Sequence, residues 1–564
     1  MEIKHLKIRN FRGIKELDWF LPGKYICLIG PGDCGKTSIL DAIEFTLYPY
    51  YTITFDDTDF YNCNSDNAIE IYVSVSFCPE EFYEDTKFGL YLRGFNHNEI
   101  VDEPNDESIN ILTVKLTVGK SLEPEWTLHV ERETDKKDIS HRMREKLGMM
   151  RIGAQVEKHF TWGRGSILNK WSENIDQAKA MISEAVRKAK SGFDEGHITD
   201  LPEIINKISV ASEKFGYKSK NTFKANLDTK SISFGYGAIS LNDDIIPVRQ
   251  LGTGSKKLIA SSLQVESTIE GAILLFDEIE AGLEPHRLRN LIRVLKRELA
   301  KKGQIIATTH SSVALVEFDA ENIAVVQNNN GVLSCKSFPE KIKNDFQGTF
   351  RRVPEAFFSK KVIVCEGATE FGFLLAYEDY LVCKGNDNFG YQGVSVVDGK
   401  GETFKQISKD LQSLGYNTAV LIDSDKLEED EIRELKDSGI NVINWDGNVS
   451  IEQRIFLDIP ENKIMDIILL AKDIISEDKG DNEANQSVLD SINMKLGSTF
   501  KTLSELNNLV NYRQQFGEIA KKKEWFKRPD KAEKLGSLVF ECFNDMQNSD
   551  ICRKIEDLKS WIYA

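Results

Sequence analysis

Alternating and helical spacings of apolar residues follow one another along the chain and predict its elements. Residues 2–9 (EIKHLKIR) and 24–29 (KYICLI) have strand patterns, and a turn is predicted between them at residues 11–13. Residues 36–47 place apolar side chains at helical intervals. From residue 69 to 132, runs such as IEIYVSVSF and WTLHVER alternate polar and apolar positions, which predicts a β-rich section.

The middle of the chain changes from a helical to a strand pattern. Residues 172–216 have few turn signals and predict an inserted helical arm for dimerisation; a surface hairpin within one subunit is the alternative. Strand patterns return at residues 225–248. Two short apolar runs, residues 272–276 and 304–307, predict buried parallel strands with a helix between them.

A β-α alternation begins again near residue 356. The runs KKVIVCEG, VSVVDG, TAVLIDSD and NVINW are separated by helical patterns, so an independent α/β domain with a parallel sheet is predicted. Residues 461–520 are mostly helical and polar, and a loop is predicted within them at residues 476–487 (SEDKGDNEANQS).

Composition limits the class of protein. A chain of 564 residues is too long for one hydrophobic core, and 41% hydrophobic with 29% charged residues is ordinary for a soluble protein. No run approaches the roughly 18 to 20 apolar residues of a membrane span, and no export signal is visible. Nine scattered cysteines without a C-x-x-C pair favour reduced thiols, so a cytoplasmic location without a membrane is predicted.

Charge and histidine usage indicate the kind of partner. The net charge of −17 disfavours non-specific coating of nucleic acid, yet residues 509–534 hold eight Lys and Arg against four Asp and Glu. All eight histidines lie at or before His310, so a metal site after that point would use carboxylates, which select Mg²⁺ or Mn²⁺.

A phosphate-binding loop is predicted between the strand at 24–29 and the helix after it. Residues 30–37 (GPGDCGKT) match G-x-x-x-x-G-K-[ST], in which backbone N–H groups and a helix N-terminus face phosphates. Lys36 would reach the β- and γ-phosphates of ATP, and Thr37 would hold Mg²⁺. The predicted cofactor-binding residues of this loop are Gly30, Gly32, Gly35, Lys36, Thr37 and Ser38.

Two later segments fit the same nucleotide site. The buried strand pattern ILLF is followed by Asp277, which suits the Mg²⁺ shell, and by Glu278, which suits polarising the attacking water as a catalytic residue. Thr308-Thr309-His310 follows the next buried strand and would direct His310 at the γ-phosphate; a purely structural histidine is the alternative.

Residues 251–257 (LGTGSKK) resemble the signature motif of ABC-type ATPases in degenerate form. The resemblance implies that Ser255 contacts ATP across a dimer interface, and residues 282–286 (GLEPH) resemble the D-loop of that superfamily.

The long insertion before Asp277 and the turn Phe11-Arg12-Gly13 are similar to the RecF and SMC branch of that superfamily. A clean Q-loop is missing, because the first glutamine after the phosphate loop is Gln155.

Three acids at strand ends indicate a second chemistry. Glu366 ends one predicted parallel strand, and Asp423 and Asp425 follow another, so all three would converge at the carboxyl edge of the sheet. Such a cluster needs a divalent cation to stay ionised, and this is the arrangement that phosphodiester cleavage by two metal ions requires. Solvated acids at strand ends are the alternative interpretation.

The order Glu366-Gly367 and then Asp423-Ser424-Asp425 resembles the Toprim domain. An ABC-type ATPase followed by Toprim resembles the OLD (overcoming lysogenisation defect) family of nucleases, which includes the nuclease subunit of the Gabija anti-phage system and retron-associated effectors.

The OLD resemblance adds further site residues. Glu370 matches a second acid of the motif, residues 397–401 (VDGKG) resemble a glycine-rich turn, and Ser450 with Glu452 resembles a late metal-binding motif. Lys531 is chosen for the transition-state role, with Lys527 and Lys534 as rivals. The metal ligands implied are Glu366, Glu370, Asp423, Asp425, Ser450, Glu452, Thr37 and Asp277, and the catalytic residues are Glu366, Asp423, Asp425, Lys531 and Glu278.

The predicted fold class is α/β, with a RecF/SMC-like ABC-type ATPase domain that carries an inserted helical dimerisation arm, followed by a Toprim domain with a parallel sheet. The predicted segments are 1–165 and 225–355 for the ATPase, 166–224 for the helical insertion, 356–460 for the Toprim core and 461–564 for its helical, basic C-terminal part.

The function expected from the resemblance is that of an ATP-dependent, Mg²⁺- or Mn²⁺-dependent DNA endonuclease or nickase in anti-phage defence. Its expected partners are DNA, a second copy of the chain in a homodimer or larger oligomer, and a defence-system protein or retron RNA/DNA. DNA contacts are expected from residues 509–534 and from Arg142, Arg144 and Arg164.

Two alternatives stay open. One is a RecF-like, ATP-driven DNA clamp or repair mediator with an inactive Toprim domain, which the intact acid set disfavours. The other is a topoisomerase-like strand-passage enzyme, which would need a nucleophilic tyrosine on a partner domain that the pattern does not indicate.

Overall fold

A computed structural model of the chain shows two compact units, Met1–Phe350 and Arg351–Ala564. It describes residues 1–564 except for the following: 50–52, 85–87, 134, 153–155, 163–165, 169–199, 228–238, 268–270, 299–302, 339–342, 426 and 507–509.

The first unit is built on a large sheet of 14 described strands and a separate three-stranded sheet. The three-stranded sheet consists of β11, β12 and β13 in the numbering that follows. In chain order the strands are β1 (Glu2–Phe11), β2 (Ile14–Phe20), β3 (Tyr25–Ile29), β4 (Ile69–Ser76), β5 (Leu92–Asn96), β6 (Glu99–Val101), β7 (Ile109–Val118), β8 (Pro124–Leu128), β9 (Lys137–Asp138), β10 (Met149–Ile152), β11 (Phe223–Leu227), β12 (Ile239–Asp243), β13 (Ile246–Pro247), β14 (Ile273–Phe276), β15 (Gln304–Thr308), β16 (Ile323–Asn329) and β17 (Val332–Ser337).

One side of the large sheet is parallel. Strands β10, β14, β15, β3 and β16 lie side by side in that order and pair in parallel, whereas β2, β1, β4, β7, β5 and β6 pair in an antiparallel series. The central strands β3, β14 and β15 are fully buried, as their unbroken apolar runs predict. Because the carboxyl ends of parallel strands meet at one edge, the segments that follow β3, β14 and β15 meet there.

Six described helices of the first unit connect or cover these strands: Lys36–Thr46, His141–Lys146, Leu201–Lys214, Thr253–Glu266, Pro285–Glu298 and Ser312–Glu317. A further helix, Lys343–Arg352, follows the last strand of this unit.

The second unit contains a fully parallel sheet of four described strands in the order β19-β18-β20-β21. Its strands are β18 (Lys361–Cys365), β19 (Val394–Asp398), β20 (Asn417–Ile422) and β21 (Asn441–Asn444). Helices cover it and continue to the end of the chain: Ala368–Cys383, Phe404–Ser413, Glu429–Asp437, Ile451–Asp458, Ile464–Lys479, Asp481–Leu496, Arg513–Lys522, Pro529–Glu541 and Asp550–Tyr563. The predicted α/β class with a parallel sheet after the first domain is confirmed.

One local prediction is incomplete and another is wrong. The turn after Phe11 leads into β2, which pairs with β1 as an antiparallel hairpin, so an additional strand precedes β3. The predicted loop at 476–487 is helical except for Gly480, whose φ of 82° reverses the chain between two helices. Its polar composition reflects exposed helical turns and not a loop.

Part of the predicted helical arm, residues 169–199, lies outside the described residues; Leu201–Lys214 within it is a helix. None of the helices in the described part of the chain combines the length and the apolar character that crossing a lipid bilayer requires.

Candidate functional site

The phosphate loop after β3 has the backbone that its glycines allow. Gly30 has a φ of 142°, and a Cβ there would lie 2.4 Å from the Val326 carbonyl oxygen. Gly35, with a φ of 100°, precedes the helix Lys36–Thr46. The buried Lys36 Nζ donates to the carbonyl oxygens of Gly30 at 3.0 Å and Pro31 at 2.8 Å. The ammonium therefore spans the loop to which phosphates would bind.

The remaining predicted loop residues also lie at this turn. Gly32 is exposed, with open space where a Cβ would stand, and Ser38 is half-buried in the first helical turn beside Thr37.

Asp277 faces the loop from the end of β14. Its Oδ1 accepts hydrogen bonds from Thr37 Oγ1 at 3.2 Å and Thr308 Oγ1 at 2.8 Å, and its Oδ2 accepts one from Arg151 Nη2 at 2.7 Å. The structure thus brings together Thr37 and Asp277, the two residues predicted to hold Mg²⁺. Hydroxyl and carboxylate oxygens are the donors that this ion prefers.

Glu278 and His310 lie at the same sheet edge. Glu278 has a φ of 43°, its backbone N–H donates to Thr308 Oγ1 at 2.8 Å, and its side chain is exposed. Burial lowers the pKa of His310, and the Lys36 charge lowers it further. Glu280 fixes the segment, since it accepts hydrogen bonds from Thr309 Oγ1 and from the His310 backbone N–H, both at 2.6 Å.

Arg151 on β10 is a residue of this site that sequence reasoning missed. Besides Asp277, its guanidinium bonds Glu44 at 2.7 Å and contacts Asp41, both on the helix after the phosphate loop. Burial favours a lower pKa of Arg151, but Asp41 and Glu44 outweigh it and raise the pKa above its usual value. An arginine within the apolar run MMRI was the available signal, because a charge in such a strand needs acidic partners.

Ser255, the predicted signature-motif residue, contacts another residue of its own chain. Its Oγ accepts a hydrogen bond from Arg287 Nη1 at 3.4 Å, on the helix Pro285–Glu298. The start of the signature helix packs on the predicted D-loop, since a Cβ at Gly254 would lie 2.3 Å from the Gly282 carbonyl oxygen. The hydrogen bond of Ser255 is therefore to the helix that follows the D-loop, whereas Thr37 bonds Asp277.

Lys257 connects this signature helix to the acidic turn. The buried Nζ donates to the Glu278 carbonyl oxygen, and burial lowers the pKa of Lys257 to about 8. Sequence reasoning assigned no role to this lysine.

In the second unit, Glu366 and Asp423 follow neighbouring strands. β18 pairs with β20 in parallel, with Cys365 opposite Leu421. The Glu366 N–H donates to the Leu421 carbonyl at 3.0 Å, and the Asp423 N–H donates to Glu366 Oε2 at 3.3 Å. The strand register therefore places these two acids side by side, as predicted from the strand ends.

The glycine-rich turn after β19 lies against the same strand end. The Gly399 N–H donates to the Cys365 carbonyl and the Gly401 N–H to the Glu366 carbonyl, both at 2.8 Å. A Cβ at Gly399 would lie 2.3 Å from the Phe404 Cβ, so the close approach requires glycine.

The helix Ile451–Asp458 brings two more predicted ligands. Ser450 caps this helix, and its Oγ donates to Glu452 Oε2 at 2.9 Å. Asp423 Oδ1 accepts from the Ile451 N–H at 2.7 Å, so the start of this helix is bound to the acid at the end of β20. Ser450, Glu452 and Asp423 are all buried.

Crowding of these acids changes their protonation. Burial, together with the charges of Glu452 and Glu366, raises the pKa of Glu370 to about 8. Burial and the charges of Glu370, Glu452 and Glu366 hold the pKa of Asp423 well above its usual range. Four carboxyl groups are therefore close enough to repel one another.

Asp425 has a different environment. It forms an ion pair with Lys521 on the helix Arg513–Lys522, while its Oδ1 is buried without a hydrogen-bond partner among the described residues.

The donor set fits a hard divalent cation. Buried carboxylates with raised pKa values and one orphaned carboxylate oxygen are what a bound Mg²⁺ or Mn²⁺ would satisfy. As placed, no group of three or more His, Cys, Asp and Glu side chains in the described part of the chain has the arrangement of a ready-made metal site. The side chains would have to turn towards the ion.

The three candidate lysines differ in their surroundings. Lys531 Nζ lies 3.6 Å from Asp478, and Lys534 Nζ lies 2.7 Å from Glu477. Neither of these two acids was predicted for the site. A hydrogen bond to Glu524 raises the pKa of Lys527, and the charges of Glu452 and Glu366 raise it further. Lys527 is thus within electrostatic reach of the acid cluster. The choice of Lys531 stays a prediction.

This basic segment is held beside the helix that carries Glu370. A Cβ at Gly372 would lie 2.2 Å from the Pro529 carbonyl oxygen, and one at Gly536 would lie 2.7 Å from the Ala376 Cβ. The close packing of the helices Ala368–Cys383 and Pro529–Glu541 fixes the position of the lysines near Pro529.

The prediction that Arg144 contacts DNA is wrong. Arg144 is buried, donates to the carbonyls of Tyr48 and Ile139 at 2.8 and 2.7 Å, and lies 4.0 Å from the centre of the Trp126 ring. A guanidinium enclosed in this way cannot meet a phosphate backbone. Arg142 is exposed, whereas Arg164 and the glutamine Gln155 lie outside the described residues.

Family models match both parts of the chain. The family described as "AAA domain, putative AbiEii toxin, Type IV TA system" matches residues 26–317, about half of the chain. The family described as "Overcoming lysogenization defect protein-like, TOPRIM domain" matches residues 357–425, which include Glu366, Glu370, Asp423 and Asp425.

Two curated proteins are similar over long stretches. The chain is 32% identical to the Old nuclease of Escherichia phage P2 over 300 residues, which cover 48% of each protein. It is 25% identical to the OLD nuclease of Thermus scotoductus over 406 residues, which cover 65% of this chain and 71% of that protein. The match to the phage protein therefore spans about half of its length.

Solved structures of SMC heads show a distant likeness. The SmcHead bound to the C-winged helix domain of ScpA is 15% identical, with a TM-score of 0.38, and the match covers 60% of this chain and 99% of that one. The SMC head domain from Thermotoga maritima is 14% identical, with a TM-score of 0.31 and coverage of 60% and 100%.

Proposed function

Because this chain belongs to the OLD family, with an AAA domain followed by an OLD-like TOPRIM domain, we propose that it is an ATP-dependent, divalent-metal-dependent DNA endonuclease or nickase. The OLD nucleases of phage P2 and Thermus scotoductus support a nuclease activity.

The observation that carries this proposal is the buried acid cluster. Glu370 and Asp423 have raised pKa values because burial and neighbouring carboxylates disfavour their ionised forms. A fold does not keep such repulsion without compensation unless the group serves a function, and perturbed acids at the carboxyl edge of a parallel sheet are typical of active sites. A bound Mg²⁺ or Mn²⁺ would supply the positive charge that activates water and steadies the leaving oxygen.

The chain's own residues have distinct parts in this proposal. Glu366 and Asp423, held side by side by the strand register, would bind the cation together with Glu370, Asp425, Ser450 and Glu452. Ser450 orients Glu452 through its hydroxyl, and the Ile451 N–H orients Asp423. A lysine of the segment 527–534 would place its ammonium near the scissile phosphate, where it would stabilise developing negative charge.

The nucleotide site belongs to the same proposal. Lys36 would leave the carbonyls of Gly30 and Pro31 for the β- and γ-phosphates of ATP, and Thr37 with Asp277 would hold Mg²⁺. The resemblance of residues 251–257 to the signature motif of ABC-type ATPases supports a homodimer in which Ser255, bonded to Arg287 in its own chain, meets the ATP of the second copy. Anti-phage defence, a defence-system partner and a cytoplasmic location complete the proposal.

Plasmid cleavage tests the proposal in the full-length protein. With Mn²⁺ or Mg²⁺ present, wild type should nick or cut plasmid DNA, and Asp423→Asn should lower the rate at least about 1,000-fold, because it removes a charge at the centre of the cluster. Asp437→Asn, which makes the same change at an exposed position of the second unit, should cut like wild type.

ATP hydrolysis serves as the independent readout in the same preparations. Asp423→Asn should hydrolyse ATP at the wild-type rate, because Asp423 belongs to the second unit. Absence of cleavage by wild type, or equal cleavage by Asp423→Asn, would refute the nuclease and favour the non-nucleolytic clamp.

A further inference from the structure

Lys521 and Asp425 form an ion pair at the border of the acid cluster. Lys521 Nζ contacts Asp425 Oδ2, and both side chains are partly exposed. Of the predicted metal ligands Glu370, Asp423, Asp425 and Glu452, Asp425 is the one that pairs with a basic side chain among the described residues. The cluster is therefore neutralised at one position by the protein itself.

Packing of the helix Arg513–Lys522 holds this lysine in place. Phe516, Ile519 and Ala520 of that helix are buried in the core of the second unit. A Cβ at Gly517 would lie 2.6 Å from the Gln453 Cα, so this helix closely contacts the helix Ile451–Asp458, whose N-terminus binds Asp423. The ion pair is thus built into the frame of the site and is not a chance contact of two long surface side chains.

Asp425 is only half satisfied by this pair. Its Oδ2 meets the ammonium, whereas its Oδ1 is buried without a hydrogen-bond partner among the described residues. A buried carboxylate oxygen without a partner costs free energy, and a divalent cation is a partner that could use it.

We propose that Lys521 is an internal counter-ion that holds Asp425 until substrate arrives, when the divalent cation takes the carboxylate and a nucleic-acid phosphate takes the ammonium. This inference rests on the function proposed above and adds to it a coupling between metal and DNA. Lys521 acts as a positioning residue, because it determines when Asp425 can reach the metal.

Elementary electrostatics gives the direction of the coupling. The ammonium repels a cation that approaches Asp425, so the ion pair weakens metal binding in the absence of DNA. A phosphate that attracts Lys521 removes that repulsion and leaves Asp425 free to bind the metal. By linkage, metal and DNA then strengthen each other's binding by the same factor.

Binding of Mn²⁺ to the full-length protein, measured by calorimetry in nucleotide-free buffer, tests the proposal without any cleavage assay. Lys521→Gln should bind Mn²⁺ at least about 5-fold more tightly than wild type, the lower end of ordinary coupling between sites. Lys436→Gln, the same change at an exposed position of the second unit, should bind like wild type, and so should Lys521→Arg, which retains the positive charge.

A DNA oligonucleotide with cleavage-resistant phosphorothioate linkages provides the second arm, and gel electrophoresis after the titration checks that it is intact. The oligonucleotide should tighten Mn²⁺ binding by wild type at least about 5-fold and by Lys521→Gln clearly less, since that variant has no ammonium to release. In an Asp425→Asn background, Lys521→Gln should no longer change Mn²⁺ affinity. Circular dichroism checks that each variant is folded.

The outcomes separate this inference from the proposed function. Equal Mn²⁺ affinity of Lys521→Gln and Lys436→Gln, with wild type binding the ion, would overturn the counter-ion role and leave the nuclease intact. Weaker Mn²⁺ binding by Lys521→Gln would also overturn it, because Lys521 would then support the site. A wild-type chain that binds no Mn²⁺ with or without DNA would overturn the metal-dependent function itself.

Discussion

The two units place acids at the edge of a parallel sheet in opposite electrostatic environments. In the first unit, Asp277 accepts hydrogen bonds from two hydroxyls and from the guanidinium of Arg151. In the second unit, Glu370 and Asp423 repel each other and their neighbours, and their pKa values rise. Asp277 thus has a basic partner, whereas Glu370 and Asp423 have no ion pair with a basic side chain in the part of the chain that the structure describes.

This difference indicates which of the two sites is stabilised by the chain's own charges and which would be stabilised by a bound cation. Arg151 ties Asp277 to the helix that follows the phosphate loop, so that edge is ordered by the chain's own charges. The acid cluster carries unfavourable charge that an added cation would relieve, which makes its stability sensitive to pH and to metal. We expect changes in the first unit to affect nucleotide binding and folding, and changes in the second to affect metal binding.

The largest expected effect comes from removing the ammonium of the phosphate loop. Lys36→Ala should weaken ATP binding about 1,000-fold, because it loses charge-assisted hydrogen bonds to the β- and γ-phosphates that contribute roughly 1.5–3 kcal/mol each. Titration calorimetry with a slowly hydrolysed ATP analogue measures it. Lys120→Ala, at an exposed lysine of the same unit, serves as the control and should bind like wild type. Unchanged affinity of Lys36→Ala would disprove the phosphate-loop assignment.

The next prediction concerns the contribution of the Arg151 charge to the stability of the first unit. Arg151→Met should destabilise the protein by roughly 3 kcal/mol, since loss of one partner leaves buried charge uncompensated. Urea unfolding of the full chain measures the change. Arg142→Met, on the exposed face of the preceding helix, should be close to neutral.

A second substitution distinguishes lost charge from lost packing at Arg151. If Asp277 is left uncompensated in Arg151→Met, then adding Asp277→Asn should recover part of the lost stability, a coupling that a double-mutant cycle detects. Additive effects of the two substitutions would mean that the methylene packing of Arg151, and not its charge, supports this edge.

Much of both candidate sites could be predicted from sequence motifs, because short stretches of sequence determine the local backbone and the position of these residues. The glycines around Lys36 require a particular backbone, and acids that directly follow apolar strands must lie at the sheet edge, so Asp277, Glu366 and Asp423 could be placed from the sequence. The parallel sheet of the second unit was predictable for the same reason: its apolar runs alternate with helical patterns. The roles of these residues stay predictions.

Partners supplied by distant segments could not be predicted. Arg151 lies 126 positions before Asp277 and Lys521 lies 96 positions after Asp425, so only folding shows that they meet. Lys521 begins the run KKK, whose members look equivalent in the sequence, but helix packing through Gly517 selects one of them. The same reasoning explains the error at Arg144, which looks like a surface arginine until the Trp126 ring covers it.

The smallest expected effect concerns the proton on Glu370. Its pKa of about 8 in the folded chain lies above its ordinary value of 4.5, so the folded state retains a proton that the unfolded state releases. Stability should therefore fall as the pH rises from about 4.5 to about 8. In Glu370→Gln this part of the fall should disappear, because an amide does not ionise and can still accept the Gly367 N–H.

Thermal unfolding in EDTA at pH 5.5 and pH 8.5 measures the effect. The unfolding midpoint of wild type should fall more between the two pH values than that of Glu370→Gln. Glu402→Gln, at an exposed position of the same unit, should follow wild type. Mg²⁺ should stabilise wild type more at pH 8.5 than at pH 5.5, because the cation competes with protons for the carboxylates. A variant whose pH dependence matches wild type would show that Glu370 is ionised at neutral pH, and the contrast between the two units would then rest on Asp423 alone.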